Sequence, residues 1–196
     1  HLGNPYDVSV DSRGRVVIAD NRHGHVRRVD EDGVIRNVAG AAYLWDKGDG
    51  GPAVNANFIS VTSVAHDLHG NIYVGDSGAG RIRRIDAPTG VITSVAGTGI
   101  PGYTGDDGAA TSARIGAPRA MRFDRAGNLF FADRAHHTIR RLDAVSGIIS
   151  TVAGTGTAGY SPDGTYALGA NLHEPCGLAI SAAGEIYFSD TRNNLE

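Results

Sequence analysis

Short runs of alternating apolar and polar residues follow one another along the chain. In the stretch from Gly127 to Asp143, GNLFFADRAHHTIRRLD, two such runs are separated by a short loop. Val, Ile, Phe and Tyr dominate the runs and Gly or Asp bounds them, which is typical of strands joined by tight turns. The pattern therefore predicts a protein built from many short β-strands.

The same stretch recurs, which indicates an internal repeat. Gly70–Asp86 reads GNIYVGDSGAGRIRRID, Gly14–Asp30 reads GRVVIADNRHGHVRRVD, and a copy from Gly184 stops after eleven residues. The Asp that closes the first run of each copy recurs at steps of 56, 57 and 57 residues. These residues are Asp20, Asp76, Asp133 and Asp190. A period of this length made of short strands indicates a repeat architecture.

Each repeat divides into four predicted strands. In the third repeat they are Arg119–Asp124, Asn128–Asp133, Thr138–Asp143 and Ile148–Ala153. Four antiparallel strands per unit, repeated along the chain, are the signature of a propeller blade. The sequence therefore predicts an all-β fold, a β-propeller of four-stranded antiparallel blades with three full blades plus half of a fourth.

Residues 1–196 are expected to form one propeller segment. We predict blades at about residues 5–40, 61–97 and 118–154, and the half blade at 175–190. Long Gly-rich linkers join them, and each linker ends in an alanine followed two positions later by an apolar residue. We expect a short turn of helix pinned to the blade edge at each of these pairs. The pairs are Ala56/Phe58, Ala113/Ile115 and Ala170/Leu172.

Three and a half blades are fewer than the four to eight with which propellers close. Open blade faces and an unpaired second strand would associate with other chains. Two explanations stay open: the chain is a fragment of a longer propeller, or several chains complete one another. The first is favoured, with self-association in solution as its consequence. Leu195-Glu196 lies where the repeat predicts a new strand.

Composition and charge narrow the range of functions. The 196 residues suffice for one core, and 28 glycines fit a turn-rich chain of short strands. A net charge of −3 lacks the positive footprint of generic nucleic-acid binding, so no nucleic-acid partner is expected. No apolar run approaches the roughly 18–20 residues that span a bilayer, so no membrane partner is expected. A single cysteine, Cys176, excludes a disulfide framework.

The repeat resembles the NHL repeat family over essentially the whole chain. The matching motif is Pro-x-x-apolar, then Gly-Asn-Ile/Leu-Tyr/Phe-Val/Phe-Ala-Asp, then Ile-Arg-Arg-Ile/Leu-Asp and Val-Ala-Gly. The linkers, which read Gly-Thr-Gly-x-x-Gly-Tyr-x-x-Asp, are similar to those of long-linker NHL propellers in bacterial exported proteins and teneurin-like proteins. The resemblance implies a β-propeller, commonly six-bladed, and favours an extracellular or periplasmic location.

What the resemblance implies about activity is broad. NHL-like propellers bind proteins, RNA or glycans, and some relatives are lyases or lactonase-type hydrolases. Because one fold hosts many functions, function has to be argued from a site. The first hypothesis is a binding scaffold that presents its loop face to a protein or saccharide partner. The alternative is a lyase or hydrolase with a His-lined site at the channel mouth, with or without a metal; Zn²⁺ and Ca²⁺ are the candidate metals, and no cofactor is assigned.

Histidines that do not repeat from blade to blade are the candidates for chemistry. His23, His25, His136 and His137 lie in loops between second and third strands, and His173 lies at a linker end. In a propeller these segments emerge on one face, and imidazole is a common metal ligand and general base. The candidate catalytic residues are therefore His136, His137 and His173.

Positions in the innermost strands also differ between blades. Arg119 and Cys176 occupy the position of Tyr6 and Thr62, and Arg122 lies where the other repeats have small residues. Such variation is expected of a rim that faces a ligand. The predicted binding face consists of Tyr6, His23, His25, Thr62, Arg119, Arg122, His136, His137 and Cys176.

His66 is a further irregularity of the innermost strands. It lies where the other repeats have Val10, Phe123 and Ile180, so it replaces an apolar core residue. We interpret it as a hydrogen-bonded core histidine.

The repeating polar residues have structural interpretations. The strand-end Asp can accept backbone N–H bonds of the adjoining turn. Of each Arg pair, such as Arg140-Arg141, one member either bridges to a strand-end Asp or is solvated. The Gly-x-Gly-x-x-Gly linkers lack the helix that a dinucleotide fingerprint needs, so they are interpreted as structural. Asp106 and Asp107, in an oxygen-rich linker tip compatible with Ca²⁺, are weak metal-ligand candidates together with His136 and His137.

Overall fold

The computed structural model describes residues 1–41 and 46–194, and within these ranges the chain forms β-strands and five short 3-10 helices. The first blade contains β1 (Pro5–Val10), β2 (Val16–Asp20), β3 (His25–Val29) and β4 (Ile35–Ala39). The second contains β5 (Val61–His66), β6 (Ile72–Asp76), β7 (Arg81–Ile85) and β8 (Ile92–Ala96). The linker strand β9 (Gly108–Ala109) precedes the third blade.

The third blade contains β10 (Pro118–Phe123), β11 (Leu129–Asp133), β12 (Thr138–Leu142) and β13 (Ile148–Ala153), and the half blade contains β14 (Leu178–Ile180) and β15 (Ile186–Phe188). All blades are antiparallel meanders in sequence order. The fold is therefore the predicted one, with three four-stranded blades and two strands of a fourth. The strands of the third blade lie within one residue of their predicted bounds. The predicted strand at Leu195-Glu196 lies outside the described residues.

Every first strand of a full blade carries a bulge near its start, after the first residue in β1 and β5 and after the second in β10, where pairing with the second strand shifts by one position. The bulged residues are Tyr6, Thr62 and Ala120. Ala120 has a φ of +40°, a conformation that non-Gly residues rarely adopt. Bulges re-aim side chains and increase local twist, so they set the direction of residues at the start of the innermost strands.

Three apolar cores lie between blades and hold them side by side. The first joins Val17 and Val26 of the first blade to Val64 and Ile92 of the second. The second is built around Met121 and the third around Ile139. Because each blade is a single sheet, it buries its apolar faces against the neighbouring blades.

Each linker adds a layer between these sheets. The 3-10 helices Ala53–Asn55, Ala110–Ser112 and Ala167–Gly169 precede the Ala-x-apolar pairs, as expected of a short helical turn. The pairs themselves are buried in the cores between blades, because Phe58 and Ile115 are 0% exposed. The pairs were predicted to lie at the blade edge, but they lie in the interior, between neighbouring blades.

The linkers also pair with the outermost strand of the blade that follows. Ile148 and Ile149 of β13 pair with β9, so the third sheet has five strands. In the second blade, Gly50 donates its N–H to Ile92 O at 2.8 Å and Ile92 donates to Gly51 O at 3.0 Å. These linkers therefore cover the outer strand edges of the second and third blades, which would otherwise be free to pair with other chains.

The outward face of the first blade remains exposed. Val8 is 53% exposed and Val10 61%, whereas Val64, at the position of Val8 in the second blade, is fully buried. The described ranges contain no helix long and apolar enough to span a membrane.

Candidate functional site

The antiparallel meander gives the propeller two distinct ends. The loops between second and third strands and the ends of the linkers lie at one end, which we call the loop end. The hairpin turns between first and second strands, and between third and fourth strands, lie at the other, which we call the turn end. All predicted histidine candidates lie in segments of the loop end.

The repeated strand-end Asp organises the loop end. In the first blade, Asp20 accepts the backbone N–H groups of Gly3 at 2.8 Å and Asn4 at 3.1 Å. In the second, Asp76 accepts those of Ile59 at 2.9 Å and Ser60 at 2.8 Å. The structural interpretation is confirmed, although the donors belong mainly to the end of the preceding linker. Each Asp therefore ties a linker to its own blade.

In the second and third blades, the first arginine of the pair has a role that differs from both predicted alternatives. Arg83 is 1% exposed and donates to Asp49 at 2.8 Å and to the carbonyls of Asn57 and Lys47 at 2.9 and 3.1 Å. The partner is thus a linker acid and the side chain is not solvated.

The third blade repeats this arrangement. Arg140 is 0% exposed and binds Asp106 at 2.5 Å, together with the carbonyl oxygens of Arg114 at 3.0 Å and Thr104 at 3.2 Å. The second arginine of the pair, Arg141, lies near the end of β12 and pairs with Asp143 at 3.1 Å. Asp106, one of the linker acids proposed as weak calcium ligands, is therefore the counter-ion of a buried arginine.

The channel mouth at the loop end brings together two predicted binding residues from different blades. The guanidinium of Arg119 lies over the ring of Tyr6 at 4.5 Å from its centroid, although their blades are separated by the second blade. Tyr6 is 43% exposed. Thr62 is buried and donates to Pro118 O at 2.9 Å, so it joins innermost strands. Cys176 is half-buried with a free thiol.

His137 and His173 meet at the loop end between the third blade and the half blade. Their ring centroids are 5.5 Å apart in an edge-to-face contact. The Nδ1 atom of His137 accepts the N–H of Glu174 at 3.0 Å. Burial, followed by the charge of His173, lowers the pKa of His137 below its ordinary value. A neutral imidazole is what this hydrogen bond requires.

Glu174 is the centre of this cluster and was not predicted from the sequence. Its carboxylate pairs with Arg134 of the third blade and with Arg192 of the half blade, the latter at 3.0 Å. Its φ of +56° turns its N–H toward His137, while the N–H of His173 binds Asp190 at 2.6 Å. A signal was present in the sequence, because the other linkers have uncharged residues at this position.

His137 also occupies a backbone position that favours glycine. Its φ is +56°, and the equivalent residues are Gly24, Gly80 and Asn194 at +59°, +57° and +56°. A histidine there is uncommon, since non-Gly residues at positive φ are mostly Asn or Asp. Its side chain makes a contact between blades that glycine could not make.

The remaining loop histidines are divided between separate surroundings. His136 stacks on Tyr103 with centroids 5.6 Å apart and binds Asp133 through Nδ1 at 3.0 Å. His23 and His25 lie on the first blade with centroids 6.2 Å apart. The described residues contain no group of three or more His, Cys, Asp or Glu side chains that could hold a metal ion.

Arg122 is the one predicted binding residue that lies away from the loop end. It lines a cavity of about 1180 Å³ at the turn end, together with His66, Tyr73 and Phe123. His66 forms the expected core hydrogen bond, because its Nδ1 lies 2.9 Å from Ser9 Oγ.

Comparison with known proteins gives two informative relatives. Protein SUPPRESSOR OF QUENCHING 1, chloroplastic, of Arabidopsis thaliana is 33% identical over 205 residues, covering 99% of this chain and 19% of that protein. Teneurin-1 of Mus musculus is 26% identical over 217 residues, covering 98% of this chain and 8% of that protein. The chain thus spans less than a fifth of either relative. No protein-family model matches the chain.

Solved structures share the fold. A protein of unknown function from Bacteroides thetaiotaomicron has a TM-score of 0.74 and 20% identity, covering 95% of this chain and 44% of that one. An auxiliary nutrient binding protein from the same organism has a TM-score of 0.71 and 21% identity, covering 97% of this chain and 46% of that one. A gluconolactonase from Xanthomonas campestris has a TM-score of 0.69 and 18% identity, covering 100% of this chain and 57% of that one.

The structural neighbours are below 25% identity and support the fold alone. The sequence motif, the 57-residue spacing of the second and third repeats, the four-stranded blades and the teneurin match agree with one another. Together these findings support an NHL-type β-propeller family for the chain.

Proposed function

We propose that the chain is a binding scaffold that takes a protein partner at its loop end, with the channel mouth as the anchor. The observation that supports this most is the Tyr6–Arg119 pair, which two non-adjacent blades present at the mouth. Tyr and Arg are enriched among the residues that dominate protein interfaces, because both offer large contact area and a polar group. A saccharide partner is the alternative outcome of the same test.

The test is binding of the labelled chain to arrays of peptides and of glycans, followed by affinity measurement on each ligand found. We expect Tyr6→Ala and Arg119→Ala each to weaken binding about tenfold or more, which is the size of an interface hot spot. Val145→Ala is the matched control, because Val145 is 97% exposed in a turn at the opposite end. Binding that is unchanged in both mouth variants would contradict the proposal.

A second candidate function is hydrolysis of a lactone or a similar ester. Two observations favour it: the gluconolactonase neighbour, and the contact of His137 with His173. His173 is the candidate general base toward water, because the Nδ1 lone pair of His137 already accepts the N–H of Glu174. Lactone hydrolysis followed with a pH indicator tests this, and His173→Gln should abolish it while His69→Gln, at the turn end, should not. Turnover absent from the unaltered chain would remove this candidate.

A further inference from the structure

The turn end contains a cleft whose lining differs from the repeat. It runs from the innermost strands outward between the second and third blades and has a volume of about 1180 Å³. It is distinct from the channel mouth, which lies at the opposite end of the innermost strands. We call it the turn-end cleft and define it by Tyr73, Arg84, Arg122 and Phe123 with His66 at its inner part.

Two polar residues of this cleft replace the residues that the repeat would put there. Arg122 lies where the other blades have Ser9, Ala65 and Ala179, and His66 lies where they have apolar side chains. Blade construction therefore does not require either residue. Both line the same cleft, although they belong to different blades.

The acidic residues around the cleft are already occupied by their own turns. Asp67 accepts the N–H groups of His69 and Asn71, both at 2.9 Å, and Asp124 accepts that of Asn128 at 2.8 Å. Asp11 is paired with Arg15 at 2.6 Å. These carboxylates therefore stabilise hairpin turns rather than the cleft arginine.

Arg122 differs from the other arginines near this end. Arg84 pairs with Asp86 at 3.5 Å and Arg141 with Asp143 at 3.1 Å. Within residues 1–41 and 46–194, Arg122 forms no ion pair and donates only to the carbonyl oxygen of Met121, at 2.7 Å. Its half-buried guanidinium thus keeps further donors for an anion.

The charge of Arg122 also acts on the carboxyl of Asp7, and this carboxyl is engaged elsewhere. It accepts the N–H of Val8 at 2.9 Å and that of Val64 at 3.0 Å. Burial raises the pKa of Asp7 above its ordinary value, although those hydrogen bonds and the charge of Arg122 act in the other direction. Arg122 is therefore not neutralised by a direct pair with this group.

The wall of the cleft offers an apolar and aromatic surface beside this cation. Tyr73 and Phe123 pack edge to face with their centroids 4.8 Å apart. The Nε2 atom of His66 is buried without a hydrogen-bond partner in the described structure, while its Nδ1 is held by Ser9. A cation, an aromatic wall and a free imidazole nitrogen are the groups that recognise a small amphiphilic anion.

We propose that the turn-end cleft binds a small organic anion, with an aromatic or apolar body and one carboxylate or phosphate group. Arg122 binds the anionic group through its free guanidinium N–H donors. Tyr73 and Phe123 contact the body. This site is independent of the partner proposed for the loop end, because the two lie at opposite ends of the propeller.

Phenyl phosphate is a suitable probe, with benzyl alcohol as its uncharged counterpart and inorganic phosphate as the anion without a body. Titrations followed by calorimetry, and by NMR at the Arg122 side-chain N–H, give affinity and location. We expect saturable binding of phenyl phosphate that is at least about tenfold tighter than that of either control probe, since a charge-assisted hydrogen bond and apolar contact both contribute.

The variants use residues that other blades already contain. Arg122→Ala recreates Ala65 and Ala179, and His66→Val recreates Val10, so both should fold. Arg122→Ala is expected to weaken phenyl phosphate binding about tenfold or more, and Arg22→Ala, which removes the same charge from the loop end, should leave it unchanged. Unaltered affinity in Arg122→Ala, equal affinity for benzyl alcohol, or no saturation up to about 10 mM phenyl phosphate would overturn the proposal.

Discussion

The buried Arg140 depends on one carboxylate, which makes Asp106→Ala an informative perturbation. Asp106 lies in the linker before the third blade, 34 positions from its partner in sequence. Removing it leaves a guanidinium that is 0% exposed with two backbone carbonyls and no counter-ion. Asp163 occupies the equivalent position of the next linker, is exposed and forms no ion pair among the described residues, so Asp163→Ala is a matched control.

The expected cost is about 2–3 kcal/mol in free energy of unfolding. Breaking a fully buried ion pair by removing one partner costs about 3–5 kcal/mol. The Asp106 side chain is 35% exposed, so water can approach the vacated position and the lower value applies. The two carbonyl acceptors of Arg140 are retained, which also limits the loss.

Urea unfolding followed by circular dichroism measures this cost, with midpoint and slope fitted separately. A second variant, Asp106→Ala combined with Arg140→Met, should recover much of the loss, because the uncompensated charge is gone. A loss below about 0.5 kcal/mol in Asp106→Ala, or an equal loss in Asp163→Ala, would refute the reasoning.

Three further outcomes are expected. Gly97→Ala should lower the free energy of unfolding by more than about 2 kcal/mol, because the new Cβ would lie 2.1 Å from a carbonyl oxygen at a φ of +91°. Gly90→Ala, whose φ is +68° and whose Cβ would meet open space, should lower it by only about 1 kcal/mol in the same urea experiment. The pKa of His137 is lowered in the folded state. Its contribution to the free energy of unfolding is therefore complete above pH 6.5, the ordinary histidine pKa, and is lost as the pH falls toward the pKa of the folded state. The urea midpoint of the unaltered chain should therefore fall with pH over this range, and His137→Asn should reduce that fall. An unchanged pH dependence of the midpoint in His137→Asn would contradict this expectation. Val8→Asp should reduce self-association in sedimentation velocity, whereas Val145→Asp should not.

Much of the fold was predictable because each blade is specified locally. Alternating residues and tight turns define hairpins within about twenty residues, and the repeat shows them four times. The strand β9 was not predictable, because Gly108 and Ala109 show no alternation and pair only through the path of the linker. The partner of Arg140 was missed for the same reason, since it lies in a distant linker.

The candidate site was predictable in its residues more than in its arrangement. Departures from the repeat identified Tyr6, Arg119, Arg122 and His137, all of which line a channel mouth, a cleft or a contact between blades. Which end of the propeller each of these residues reaches depends on its position along its strand. Arg119 and Arg122 are three residues apart in β10, roughly 10 Å at the usual rise, which is enough to direct them to opposite ends.

The linkers have a consequence for how such propellers change in evolution. The linkers before the second and third blades each contribute the covering segment, the acid for the buried arginine and the N–H groups for the strand-end Asp, and all of these act on the blade that follows. A linker and the blade that follows it therefore form one structural unit, which we call a cassette. Duplication or loss of a cassette leaves the buried arginine pair and the covered outer edge of the second and third blades' own cassettes intact, so blade number can vary without exposing these groups.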